Sequence, residues 1–284
     1  MERITARDGA DLAVHSSGNG PGIVVVHGGG VTIHDYRRLA SALADRFTVH
    51  LYNRRGRGDA PPVSRPDAIE QDIDDLAAIM EHTGTGNVIG HSSGGFIALK
   101  AALRLPIDRL ALYDAAVSID GSFPAPWFEP AREALRRGDT ARALTIASAG
   151  INPQMAASRL PFGVQLAVVR AFMRTRIGRT MGDLLPLTLD EGEQILRHDG
   201  PAEQWAGITA AVLLACGANS APYYVESNEA LARVLPQAGT LRIPGSGHDA
   251  LNRARPRLTN PLAAFFASAG NDRPAHKPQT GQAL

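Results

Sequence analysis

The chain carries one cysteine, Cys216, in 284 residues, so no disulfide can form within it. That suits a reducing compartment. Long apolar runs are missing as well. No stretch approaches the ~20 residues that span a bilayer, and the amino terminus, Met1-Glu2-Arg3-Ile4-Thr5, lacks the apolar core of a secretory signal. Neither charge dominates: 29 basic residues stand against 28 acidic ones, a net +1. That balance gives no footprint for nucleic acid or an anionic membrane. Internal repeats are absent. These absences lead to an expectation of a cytoplasmic protein with a small-molecule partner; they say nothing of its oligomeric state. Hydrophobic content of 44% and charged content of 20% are ordinary for a globular chain. The length suits one large α/β domain with an insertion, or two small domains.

Among the segments present, Asn87-Val88-Ile89-Gly90-His91-Ser92-Ser93-Gly94-Gly95-Phe96 organises the rest. A short apolar strand ends at Gly90, the chain reverses at Ser92, and a helical pattern leaves from Ser93. The frame Gly90-x-Ser92-x-Gly94 puts a serine on a strained strand-to-helix turn, where side chains two positions either side would collide with neighbouring backbone. A GxSxG frame also arises by chance, and small residues are common at such turns. Its context, with an apolar strand before it and a helix after it, is what favours chemistry.

The preceding strand-like run, Pro21-Gly22-Ile23-Val24-Val25-Val26, has the β-branched content of a strand buried on both faces and runs into His27-Gly28-Gly29-Gly30. Successive glycines after such a strand form either a flexible loop or a site where backbone amides approach a ligand. On the second reading the N–H groups of Gly29 and Ser93 form an oxyanion hole for an attacked carbonyl. Residues 33–45 have helical spacing and residues 47–52 read as a strand. The loop Asn53-Arg54-Arg55-Gly56-Arg57-Gly58-Asp59 is basic and glycine-rich, but it lacks the Lys-Ser/Thr of a phosphate-binding loop and reads as structural. Over 66–82 the pattern is an amphipathic helix, with Glu70, Asp72, Asp74 and Asp75 read as a solvated acidic face near its start.

After a strand over 107–113 that ends in Asp114, regular strand–helix alternation stops. Prolines intersperse helical segments at 131–149 and 164–177, and residues 118–205 read as an inserted helical lid over the pocket. Residues 1–117 and 206–270 form the core. Trp127, Phe128, Phe162 and Met173, with Met155 and Met181, are candidate pocket residues or simple lid packing; Gly28 and His91 join them beside the serine. Alternation resumes with a strand over 210–217, a helix over 223–235, a strand over 240–243 and a helix over 256–268. The polar residues 271–284 are expected to be disordered.

Functional groups of an open parallel sheet sit beyond the carboxyl ends of its strands. His27, Ser92, Asp114 and His248 all fall there. A serine hydroxyl needs an adjacent base. Of nine histidines, His248 has the best context, in a glycine-rich loop after the last strand, with His27 the runner-up. These segments together, His27-Gly28-Gly29-Gly30, Tyr52 to Asp59, Gly90 to Gly94 and Gly245-Ser246-Gly247-His248, resemble the α/β-hydrolase fold superfamily in its lid-bearing serine esterase form. The resemblance implies a mostly parallel sheet flanked by helices, Ser92 as nucleophile and His248 as base. It needs no metal or organic cofactor. In most of that superfamily the acid follows the strand that here is 212–216, at the position of Ser220, which has no carboxylate. Some members carry it one strand earlier, where Asp114 stands, so Asp114 is the expected acid, with Asp120, Glu226 and Asp249 behind it. Members that open epoxides or release halide use an aspartate nucleophile, which this chain replaces with Ser92. The expected activity is hydrolysis of an ester, lactone or thioester. C–C bond hydrolysis, acyl transfer, cyclisation or silent ligand binding on the same fold remain the alternatives.

Overall fold

A computed structural model describes residues 1–64 and 68–268. The expected disordered tail, 271–284, lies outside the described residues, as do the first two positions of the helix expected over 66–82. Among the described residues eight strands form one sheet: β1 (Glu2–Thr5), β2 (Asp11–Gly18), β3 (Gly22–Val26), β4 (Thr48–Tyr52), β5 (Asn87–His91), β6 (Arg109–Tyr113), β7 (Ala211–Gly217) and β8 (Ala238–Ile243). Their order is β1-β2-β4-β3-β5-β6-β7-β8. β1 and β2 pair antiparallel, as do β2 and β4, and every later pairing is parallel.

The central parallel strands β3, β5, β6 and β7 are mostly apolar and buried because both faces are covered. Val24 and Val26 of β3 enter one core with Ile73, Leu76 and Phe96, while Ile23 and Val25 enter the other with Leu39, Leu43 and Phe266. This is the period-2 alternation of a strand divided between two layers. The helices α1 (Arg37–Leu43) and α11 (Pro256–Ala267) build the second core; α2 (Ala68–Thr83), α3 (Ser93–Ala101) and α9 (Pro222–Val234) contribute to the first. A four-residue helix, α10 (Ala250–Arg253), which the periodicity did not foreshadow, follows His248.

Strand order positions the site. From β3 the chain moves outward to β4, then returns across β3 to β5. The loops after β3 and β5 therefore diverge side by side, at the point where an open α/β sheet leaves a crevice.

Between β6 and β7 the chain leaves the sheet for five helices: α4 (Phe128–Arg136), α5 (Thr140–Ile151), α6 (Phe162–Phe172), α7 (Arg176–Asp183) and α8 (Leu185–Arg197). The helix expected over 131–149 is two helices. Gly138 turns the chain at φ 76°, and the Asp139 carboxylate accepts from the Arg142 amide as the cap of α5. The helix expected over 164–177 is likewise interrupted, because Thr175 caps α7 by accepting from the Gly178 amide. α8 was not anticipated. It packs against α2, α3 and α4, and it reaches the site.

Candidate active site

Ser92 sits between β5 and α3 at φ 54° and ψ −125°, a backbone conformation that costs a side-chain-bearing residue ~1–3 kcal/mol. The surrounding glycines make it possible. A Cβ at Gly94 would lie 2.3 Å from the Val26 carbonyl oxygen, and one at Gly90 would lie 2.7 Å from the Gly95 Cα. The turn is held by the Ser92 amide, which donates to the Tyr113 carbonyl, and by the Ser92 carbonyl, which accepts from the Gly95 and Ala116 amides. The serine thus stands at the positive end of α3.

Asp114 ends β6 in the left-handed region, at φ 43°, and is fully buried. Its Oδ1 accepts from the Gly217 amide at 3.1 Å. Its Oδ2 accepts from Ser220 Oγ at 2.5 Å and from His248 Nδ1 at 3.1 Å. Ser220 therefore stands where a carboxylate was looked for and donates to the carboxylate on the neighbouring strand. Glu226 and Asp249 make no hydrogen bond or ion pair with the His248 ring among the described residues; Asp249 pairs with Arg253 instead. With Nδ1 donating to Asp114, the free lone pair of His248 is on Nε2. The ring is stacked against Tyr224 of α9, with centroids 5.4 Å apart and planes inclined at 16°. Ser92 Oγ has no hydrogen-bond partner among the described residues, and neither does His248 Nε2. The amides of Gly29 and Ser93 also have no acceptor among the described residues.

Two other histidines are committed elsewhere. His91 Nε2 lies 2.9 Å from the His248 carbonyl, so it carries the proton; Nδ1 then accepts from the Tyr36 hydroxyl, whose oxygen accepts from the Gly28 amide at 3.1 Å. This chain ties the loop after β3 to the loop that bears His248. His27 donates from Nδ1 to the Gly28 carbonyl and accepts at Nε2 from the Arg54 amide. Burial, before any charge nearby, holds both imidazoles well below the usual histidine range. Both stay neutral in the fold, and the unfolded chain takes up protons first. The fold therefore loses stability as pH falls below about 6.5, by up to ~1.4 kcal/mol per pH unit for each ring. A urea midpoint that drops between pH 7 and pH 5 checks this; an unchanged midpoint contradicts it. The one thiol is no rival to the serine, since Cys216 is buried and burial pushes it up to about 11.

The basic loop after β4 is structural, and the acidic face of α2 is its partner. Asp72 and Asp75 were expected in solvent, yet both are buried. Arg54 donates to Asp72 at 2.6 Å, and Arg55 makes a two-point contact with Asp75 at 2.8 Å. Arg55 also holds Asp8 down to about 2. The helical periodicity over 66–82 sets Asp72 at the border of the apolar stripe, three residues after Ile69 and four before Leu76, and Asp75 farther round, but it does not show that a neighbouring loop covers both with arginines.

One further carboxylate comes from the insertion. Glu191 of α8 is buried; its Oε1 accepts from Arg54 at 3.0 Å and from Arg57, and its Oε2 accepts from Ser93 Oγ at 2.7 Å. A Cβ on Gly29 would lie 3.1 Å from the same Oε2. Glu191 therefore touches the residue after Ser92 and borders the glycine loop. In the sequence it shares a helical face with Thr188, Gly192 and Ile195, and a charge on such a face was the available signal. Removing one partner of a buried pair costs ~3–5 kcal/mol. Glu191→Ala should lower the unfolding free energy by about that much, with Glu191→Gln less damaging because its amide oxygen can still accept from Ser93. A urea midpoint unchanged in Glu191→Ala would contradict this.

Of the candidate pocket residues, Gly28 and His91 flank Ser92. Trp127 stacks on Phe128 at 3.9 Å, and the Phe128 ring occupies the space a side chain at Gly192 would need. Both are built into the insertion's own packing. Met173 packs against Gly182. Phe162 is 39% exposed beneath the Arg142 guanidinium. Met155 is also exposed.

No helix among the described residues is long and apolar enough to cross a membrane, and no cluster of His, Cys, Asp and Glu among them could hold a metal ion. Comparison with known proteins agrees with the fold. The chain is 38% identical over 104 residues to a pimeloyl-acyl-carrier-protein methyl ester esterase of Chromobacterium violaceum, an alignment covering 36% of this chain and 40% of that protein. The same-named esterase of Nitrosomonas europaea is 25% identical over 245 residues, covering 84% of this chain and 93% of the other. Among solved structures, an alpha/beta hydrolase from Sphaerobacter thermophilus superposes with a TM-score of 0.77 at 28% identity, over 94% of this chain and 100% of that one. Residues 23–262 match the sequence model of the alpha/beta hydrolase family, and the chain belongs to that family.

Proposed function

We propose that this protein is a serine hydrolase that cleaves an ester, lactone or thioester of a small organic molecule through an acyl-enzyme. Ser92 is the nucleophile, His248 its base and Asp114 the carboxylate that orients the imidazole. The observation that carries the proposal is the His248–Asp114 pair, 3.1 Å between Nδ1 and Oδ2 with the carboxylate fully buried, together with a serine held at positive φ in a turn cleared by glycines. The ester-cleaving names of the two relatives support the same bond class.

His248 Nε2 takes the Ser92 proton as the oxygen attacks the carbonyl. The Ser92–His248 hydrogen bond closes as substrate enters, since catalytic contacts in empty sites are often long. The amides of Gly29 and Ser93 receive the oxyanion, and one such donor is worth ~3–4 kcal/mol of the barrier. The protonated imidazole gives its proton to the leaving oxygen or sulfur. A water, activated by the same nitrogen, then releases the acid. Asp114 stabilises the imidazolium and is itself held by the Gly217 amide and Ser220. Residues 118–205 act as the lid on a core of 1–117 and 206–270, and α8 sets its distance from the oxyanion amides through Glu191.

The experiment is rapid mixing with p-nitrophenyl acetate. An acyl-enzyme predicts a burst of p-nitrophenol, one equivalent per chain, before the slower steady state. Absence of both burst and steady turnover would favour a silent binding protein.

A further inference from the structure

We infer that the outer tip of the insertion is a docking surface for a lipid bilayer bearing anionic headgroups. From Thr140 to Gly182 the chain has six arginines and no lysine, aspartate or glutamate, leaving 23 basic residues against 28 acidic for the remainder, a net −5. The overall balance of +1 conceals two regions of opposite sign. Arg142, Arg159, Arg170, Arg174, Arg176 and Arg179 are all exposed. Among the described residues none of them pairs with a carboxylate; the contacts they make are a ring, a side-chain amide and a backbone carbonyl.

The same segment holds most of the molecule's exposed apolar bulk. Of eight large hydrophobic residues exposed among the described residues, six lie between positions 155 and 177: Met155, Leu160, Phe162, Val164, Val168 and Ile177. α6, at their centre, has no buried residue. It rests on α5 and α7, so it is the outermost layer of the insertion. Exposed apolar residues scattered singly need no explanation, but a cluster does.

The occupant follows from three features. Apolar side chains mixed with arginines on an outer helix match the chemistry of a membrane interface, where the chains enter the acyl boundary and guanidinium groups bind headgroup phosphates. A protein partner would look for polar groups at a density of about one hydrogen bond per 100–200 Å². α6 offers few, since the Gln165 amide already donates to the Ser158 and Leu160 carbonyls. A second copy meeting this face through a two-fold axis would set arginine against arginine. The contact is with the surface of the bilayer and involves no spanning segment. It stands whether or not Ser92 is the nucleophile.

Flotation with vesicles tests it. The full chain is mixed with vesicles of phosphatidylcholine alone and with vesicles in which about a third of the lipid is phosphatidylglycerol. It should float with the second and far less with the first, and added salt should release it. Each arginine near the surface contributes about five-fold to partitioning, so Arg170→Ala/Arg174→Ala/Arg176→Ala should lower it about a hundred-fold. Val164→Ser/Val168→Ser should also weaken binding. Both variants should keep the wild-type circular dichroism and thermal midpoint, which separates lost docking from lost folding. Equal flotation with neutral and anionic vesicles, or flotation with neither, overturns the inference. So does retention on immobilised polyglutamate without vesicle binding, which would assign the patch to an acidic polypeptide. A wild-type dimer in solution that Val164→Ser/Val168→Ser makes monomeric would assign it to a second copy, with the same consequence.

Discussion

Ser92→Ala should lower the kcat of p-nitrophenyl acetate hydrolysis by about a million-fold if the residue acts as serine nucleophiles elsewhere do. The size of the effect follows from what the hydroxyl does. Without it no acyl-enzyme forms, and His248 and the oxyanion amides are left with direct attack by water, worth only ~10³–10⁴ over solution. The substitution is structurally mild. Ser92 Oγ has no hydrogen-bond partner among the described residues, while its backbone makes the contacts that hold the turn. Alanine at φ 54° meets much the same strain as serine. The thermal midpoint should therefore stay near that of the wild type while turnover vanishes. Residual turnover within a factor of ten of the wild type would remove Ser92 from the mechanism.

Asp114→Asn should lower kcat by about 10⁴ with KM little changed. An amide at Oδ2 can present an N–H to His248 Nδ1, which favours the tautomer with the proton on Nε2, and that nitrogen could no longer take the Ser92 proton. It also removes the charge that steadies the imidazolium. The same site shows why the effect cannot be read as simple loss of structure: the Gly217 amide and Ser220 Oγ also hold the carboxylate, so the side chain stays anchored in the variant. Ser220→Ala removes one of these anchors and leaves the charge, and its loss should be much smaller. Wild-type kcat in Asp114→Asn would shift the orienting role to another group.

The sheet, its strands and the turn at Ser92 were legible because each rests on local chemistry. Apolar β-branched runs make buried strands, and glycines mark where backbone must pass close to backbone. The position of Asp114 was legible only through a resemblance and an absence, a strand end with an acid and a later strand end without one. What could not be read is what depends on contacts distant in sequence. Asp72 and Asp75 look like solvent-facing charges on a helix until the arginine loop after β4 covers them. Glu191 lies far along the chain from Ser93 and Arg54, in a helix whose existence the proline-rich composition obscured. The breaks at Gly138 and Thr175 are capping events, and helical periodicity runs through them unmarked. The charge asymmetry of the insertion is present in the sequence, but a sum over the whole chain erases it.

The most direct measurement is the mass of peptides from the protein after reaction with a fluorophosphonate. The account predicts one adduct, on the peptide containing Ser92, that forms rapidly in the wild type and is nearly lost in His248→Ala, since the imidazole alone makes that hydroxyl nucleophilic. An adduct on another residue, or labelling of Ser92 at the same rate without the His248 imidazole, would contradict it.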